Sequence, residues 1–308
     1  MLVLAHATGG QVPLISPHVV PLLGIIAAAS LYIRATRILA SRGRVVPIFQ
    51  QLCFAAGLAL IFCATQTGID PLGEHHLVSA HMAQHLMLAD LPAPLLLVGL
   101  RSPVLLFIWP RSFLIFAAHR RLLRAFWSWV RRPVVALTIW FGTLIVWHIP
   151  AAYQAALTNP WIHLLEHGTF VVTGIIVWYP ILDPLRTGGA DLWRAAYLAV
   201  ARLVGGVLGA ILLGSQHVLY PAYGSAPEAY GISPLTDQQI AGAMMMAVDF
   251  LYVTIGVLWI ISTAGPDSPD AHQVTEQGQA DAAPDAVSTR PEPRSSAMTE
   301  RIAGTADA

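Results

Sequence analysis

Two pairs of histidines carry the chemistry that this sequence offers. His81 and His85 are four residues apart, as are His163 and His167, so on helices each pair shares a face about one turn apart. Gln84 and Glu166 fall on those same faces, where they can orient imidazoles as hydrogen-bonding partners. His148 and His217 sit near the ends of other apolar stretches, and Asp237, Met244 and Met245 bring a carboxylate and thioethers to similar depth. Paired imidazoles on facing helices can hold a metal ion or supply axial ligands to haem iron. Imidazole with thioether suits copper better than a hard cation, because soft ligands favour Cu(I). Taken alone, His6, His18 or His217 reads as an interfacial residue, and the Met244, Met245, Met246 run reads as apolar packing. Cys53 and Cys63 are ten residues apart on different faces of one stretch. They read as small buried residues and are assigned neither copper nor a disulfide.

The elements that position these residues follow from composition. With 56% hydrophobic and 11% charged residues over 308 positions, the chain has too little polar surface for a soluble globule. Its apolar residues fall into blocks of about 20, the length that crosses a ~30 Å hydrocarbon core at ~1.5 Å per residue. Seven blocks are expected: His18 to Ile38, Val46 to Thr65, His76 to Leu100, Pro133 to His148, Trp161 to Leu182, Ala195 to Leu219 and Gln238 to Thr263. The fold class is therefore all-α, a polytopic membrane protein with a seven-transmembrane-helix bundle. Residues 1–17 form a short extracytoplasmic N-terminus, 18–264 the transmembrane domain and 265–308 a disordered cytoplasmic tail rich in Pro, Ala, Ser, Asp and Glu. No basic segment precedes the first span, so no cleavable signal peptide is expected.

All 17 basic residues are Arg, and they alternate from one connection to the next. Arg34 to Arg44, Arg101 to Arg132, Arg186 to Arg194 and the tail carry them, whereas Gln66 to His75, Ile149 to Pro160 and Tyr220 to Asp237 have none. Basic loops stay on the cytoplasmic side, which places the N-terminus outside, the C-terminus inside and the paired histidines toward the outer face. Arg120 to Arg132 interleaves Arg with Leu, Phe and Trp as an amphipathic helix on the inner surface. Pro92 and Pro94 predict a kink in the third span. Gly205 and Gly209 would let the sixth span pack closely on a neighbour. Asp90, Arg202 and Asp249 are intramembrane charges that either neutralise one another or relay a proton or ion.

The stretches His81-Met82-Ala83-Gln84-His85-Leu86-Met87-Leu88, Pro92-Ala93-Pro94-Leu95-Leu96-Leu97, Trp147-His148-Ile149-Pro150, His163-Leu164-Leu165-Glu166-His167, Trp178-Tyr179-Pro180-Ile181-Leu182-Asp183-Pro184 and Asp237-Gln238-Gln239-Ile240-Ala241-Gly242 occur in this order. Together they resemble the multi-spanning CtaG-type cytochrome c oxidase assembly factors of bacteria. The resemblance implies a multi-pass protein of the bacterial plasma membrane that helps mature the respiratory-chain oxidase. It would handle or deliver copper at the outer face as a chaperone rather than an enzyme, with oxidase subunits as partners.

On that reading His81, His85, His163 and His167 are the metal ligands, with His148, His217 and Met244 after them and Gln84, Glu166 and Asp237 in support. A haem-binding or haem-handling membrane protein and a proton- or ion-coupled transporter are the alternatives. A retinal protein is excluded because the chain has no Lys for a Schiff base. The Arg residues sit where topology requires them, so nucleic-acid binding is not expected.

Overall fold

The computed structural model of the chain describes residues 16–183 and 192–263, with side chains up to residue 258. The expected tail, His6, His272 and most of the short N-terminal segment lie outside the described residues. Within them all regular structure is helical. In chain order the elements are α1 (Val19–Ser41), α2 (Ile48–Gln66), α3 (Ile69–His75), α4 (Val78–His85), a π-helical turn (Leu86–Asp90) and α5 (Pro92–Gly99). Next come α6 (Val104–Ile108), α7 (Arg111–His119), α8 (Arg121–Val130), α9 (Pro133–His148) and α10 (Pro150–Thr158), followed by α11 (Pro160–Leu182), α12 (Leu192–Gly214) and α13 (Pro234–Thr263).

Among the described residues six helical stretches are long and apolar enough to cross a membrane: Val19–Ser41, Ile48–Gln66, Val78–Gly99, Pro160–Leu182, Leu192–Gly214 and Pro234–Leu258. A seventh is counted when α8 and the 16-residue α9, bent 73° from each other, are taken as one broken span. The bend separates the two roles that the sequence suggests for this region. The exposed α8 carries Leu122, Phe126 and Trp127 on its surface, while α9 buries Trp140 and Leu144 in the bundle. Arg131 stacks over Trp127 and Tyr179, fastening the end of α8 to α11.

The third span, Val78–Gly99, runs continuously through its prolines by way of the π turn. Pro92 has no N–H and its ring would collide with the preceding turn, so the helix widens just before it, and the Leu91 amide bonds five residues back to the Leu86 carbonyl (3.0 Å). The sixth span begins three residues earlier than expected and ends at Gly214 rather than Leu219. Beyond it the Ser215 hydroxyl bonds the His217 carbonyl, and two 3-10 turns, Pro221–Tyr223 and Ala226–Tyr230, lead into α13.

Glycines set how closely the spans approach. A Cβ on Gly209 would lie 2.8 Å from the Gly242 carbonyl, and one on Gly205 would lie 2.5 Å from the Asp249 carboxylate, so α12 meets α13 backbone to backbone. Gly174 on α11 abuts the Ala89 carbonyl in the π turn. Thus the two histidine-bearing spans cross where a larger residue would wedge them apart.

Deep in the bundle, Arg202 of α12 hydrogen-bonds Asp90 and lies 3.5 Å from Asp249 of α13. Its guanidinium is boxed by the rings of Trp140, Trp178 and Tyr252, and the Tyr252 hydroxyl donates to the Asp90 carbonyl (2.9 Å). All three intramembrane charges therefore meet, and they tie the third, sixth and seventh spans together. Replacing Arg202 with Leu leaves the buried Asp90 and the half-buried Asp249 without their cation. That variant is expected to lose about 3–5 kcal/mol of stability, read as a lower melting temperature in detergent, with partial recovery when Asp90→Asn is added. An unchanged melt would mean that the ion pair does not hold the spans.

Candidate metal centre

Each histidine is brought to the centre by a local device. Asn159 caps α11 by accepting the Trp161 amide (2.9 Å) and the Ile162 amide (3.4 Å), and Pro160 supplies the first turn. His163 and His167 are thereby fixed in the first two turns of the fifth span. His148 ends α9 because Pro150 drives Ile149 into extended backbone. The Trp147 indole reaches Thr169 (2.9 Å) and joins α9 to α11.

The helix carrying His81 and His85 is capped from across the bundle. Asp237, completely buried at the start of α13, accepts the Val78 amide (2.6 Å), the Ser79 amide (3.2 Å) and the Ser79 hydroxyl (2.5 Å). A carboxylate at a helix N-terminus is favoured by the orphan amides and by the helix dipole. Asp237, expected in support of the candidate ligands, thus sets the depth and direction of α4, the helix that carries His81 and His85.

Here two groups of side chains that could hold a metal ion come together. The first is His81, His85 and Glu166, and the second is Asp70, His163 and His167; within each group the candidate ligand atoms lie within 4.8 Å of one another. The groups form one cluster, since the His81 ring is 5.5 Å from that of His163 and the His85 ring is 6.0 Å from that of His167.

His81 Nε2 is 3.6 Å from one Glu166 oxygen and His85 Nε2 is 3.4 Å from the other, too long or too poorly aimed for hydrogen bonds. Two ligand atoms about 2.0–2.1 Å from a shared tetrahedral ion stand about 3.3 Å apart, so these separations are compatible with a metal ion. His81 Nδ1 faces the Gly73 carbonyl (3.3 Å), an arrangement that places its proton there and turns the Nε2 lone pair toward Glu166. Two acceptors thus confront each other, and both side chains are fully sealed from solvent. Only a cation, whether a proton or a metal ion, satisfies that arrangement. His163 Nε2, His167 Nε2 and both His85 nitrogens are likewise buried with no hydrogen-bond partner.

A polar shell holds the cluster. The Gly73 carbonyl also accepts the Tyr223 hydroxyl (2.6 Å), which in turn is bonded by Tyr153 (2.7 Å), and Tyr153 packs its ring on His81. Tyr220 donates to the His148 carbonyl (3.0 Å). Gln84 donates to the Ala64 carbonyl (2.8 Å) and to Asp70 (2.5 Å), so it orients the second group's carboxylate. A small polar pocket lined by His18, Asp70, His163 and His167 leads to the surface, where the exposed His18 lies 3.7 Å from Asp70.

The remaining candidates are placed differently. Glu166, read as an orienting residue, has an oxygen among the candidate ligand atoms. His217 is exposed, and Met244 is only half-buried, whereas its neighbour Met245 turns inward. Sequence reasoning missed Asp70, the tyrosine shell and Gly73. The available signal for Asp70 was an acid in an Arg-free connection next to the histidines. Asp237→Ala is expected to cost about 1.5–3 kcal/mol, the range for hydrogen bonds to a charged group, and to weaken metal retention although no ligand is removed. Thermal unfolding and metal analysis of the same preparation check this, and a variant that melts and binds like the wild type refutes the positioning role.

The family model for the cytochrome c oxidase caa3 assembly factor, CtaG, matches residues 30–264. No curated protein and no solved structure matches the chain. The matched segment takes in every described span except the start of α1, together with both ligand groups. This chain therefore belongs to the caa3-type cytochrome c oxidase assembly factor family.

Proposed function

We propose that this protein takes up copper in the cluster of His81, His85, His163, His167, Glu166 and Asp70 and passes it to a subunit of the caa3-type oxidase. Copper is the cargo, so the protein acts by ligand exchange and makes or breaks no bond in a substrate. The observation that carries the reading is the sealed confrontation of unpartnered imidazoles with Glu166, which calls for a cation. Imidazole serves copper, zinc, iron and nickel alike, so the choice of copper rests on the family's oxidase client. The Arg-rich connections lie at the opposite end of the spans from the histidines. By the positive-inside rule the cluster faces the outer side of a bacterial plasma membrane.

The test is metal analysis of the detergent-purified protein after copper loading and dialysis. Near-stoichiometric copper is expected in the wild type. Retention should fall by at least about tenfold in Glu166→Gln, which keeps the side chain's size but not its charge, since even outer-shell changes cost 10–100-fold. In cells, His81→Ala with His85→Ala should lower the copper content and activity of the oxidase while membrane insertion stays normal. Unchanged oxidase copper would overturn the proposal.

One observation favours a haem reading as the second choice. An apolar cavity of ≈ 490 Å³ between α1, α2 and α11 reaches His167, and that volume is in the range of organic-ligand pockets, about 300–1,000 Å³. Haem held there would give a Soret band that disappears in His167→Ala. Purified protein without a Soret band removes this reading.

A further inference from the structure

We infer that a second, softer metal site lies deeper in the bundle, where His85, His148, Met82 and Met245 line one small cavity, and that it takes Cu(I). The inference rests on the copper reading above and adds to it a separate set of donors.

The cavity lies between α4, α9 and α13 and measures ≈ 20 Å³. That is room for one water or one ion, because about 10–15 Å³ suffices for a single water-sized sphere. Its four donors are all at least nine-tenths buried: Met82 is 1% exposed, His85 5%, Met245 6% and His148 9%. The His148 Nδ1 proton is used on the Leu144 carbonyl (2.7 Å), which leaves Nε2 as a lone pair, and that atom is buried without a partner. His85 has both ring nitrogens buried and unpartnered, so it can contribute to the Glu166 group or to this cavity. Buried imidazole acceptors left unsatisfied are destabilising unless something partners them.

Donor chemistry selects the ion. Two imidazoles and two thioethers form a soft, neutral set, which favours Cu(I) over a hard divalent cation. Asp90 also lines the cavity, with its carboxylate engaged by Arg202.

The experiment is anaerobic Cu(I) loading of the full-length protein in detergent, with X-ray absorption at the copper edge and competition against a Cu(I) chelator. The wild type is compared with the near-isosteric Met82→Leu/Met245→Leu variant and with Glu166→Gln. Sulphur scatterers are expected at copper in the wild type and in Glu166→Gln. In the double Met→Leu variant they should be absent and the Cu(I) affinity at least tenfold weaker, with Zn(II) binding unchanged. Copper held only by nitrogen and oxygen in the wild type, and lost in Glu166→Gln, would overturn the soft site while leaving the proposed function standing. Failure of the wild type to retain any copper would overturn both. Equal Cu(I) affinity in wild type and the double Met→Leu variant would mean that the cavity holds a buried water only.

Discussion

The structure is organised around one carboxylate that water cannot reach. Glu166 faces His81 and His85 with no exposure and no hydrogen bond to either oxygen. In a low-dielectric bundle such a carboxyl is costly unless it is neutralised, paired or hydrogen-bonded. The surrounding devices fix the groups that face it. The Asp237 cap fixes α4, the Gly73 carbonyl fixes the His81 tautomer, and Tyr153 and Tyr223 close the ring of hydrogen bonds above.

A second charged centre supports the first from below. Asp90 closes the π turn that begins one residue after His85, so the Arg202 ion pair and the histidine face are coupled through five residues of widened helix. The π turn accommodates Pro92, and Gly174 lets α11 rest directly on it at Ala89. Small shifts in this crossing would move both histidine pairs relative to each other. The same local feature therefore serves membrane packing and site geometry.

The spans were legible because lipid imposes a length and an apolar composition, and the Arg alternation marks which connections share a side. The paired histidines were legible because an i, i+4 spacing is a local property of a helix. What the sequence hid is long-range. Asp237 caps a helix 159 residues away in the chain, and no spacing rule links it to Val78. Asp70 sits in a short helix between spans, and the packing of Gly73 on the His81 backbone, with the Gln84 bond to Asp70, brings that helix to the cluster. Met244 and Met245 are adjacent, and choosing which one faces inward requires the rotation of α13. That rotation is set by the close approach of Gly242 to Gly209.

On the proposed copper reading, imidazole donors in place of thiolates have a physical consequence. Cys53 and Cys63 lie on α2, and neither belongs to the two ligand groups. A thiolate site would have to be buried charged or protonated before loading, whereas imidazoles are neutral ligands that remain neutral when empty. On that reading the imidazole donors add no charge of their own to the empty site, so the affinity is governed by the donors and their geometry. A site built on those terms can bind its cargo firmly and still yield it to a partner offering comparable ligands.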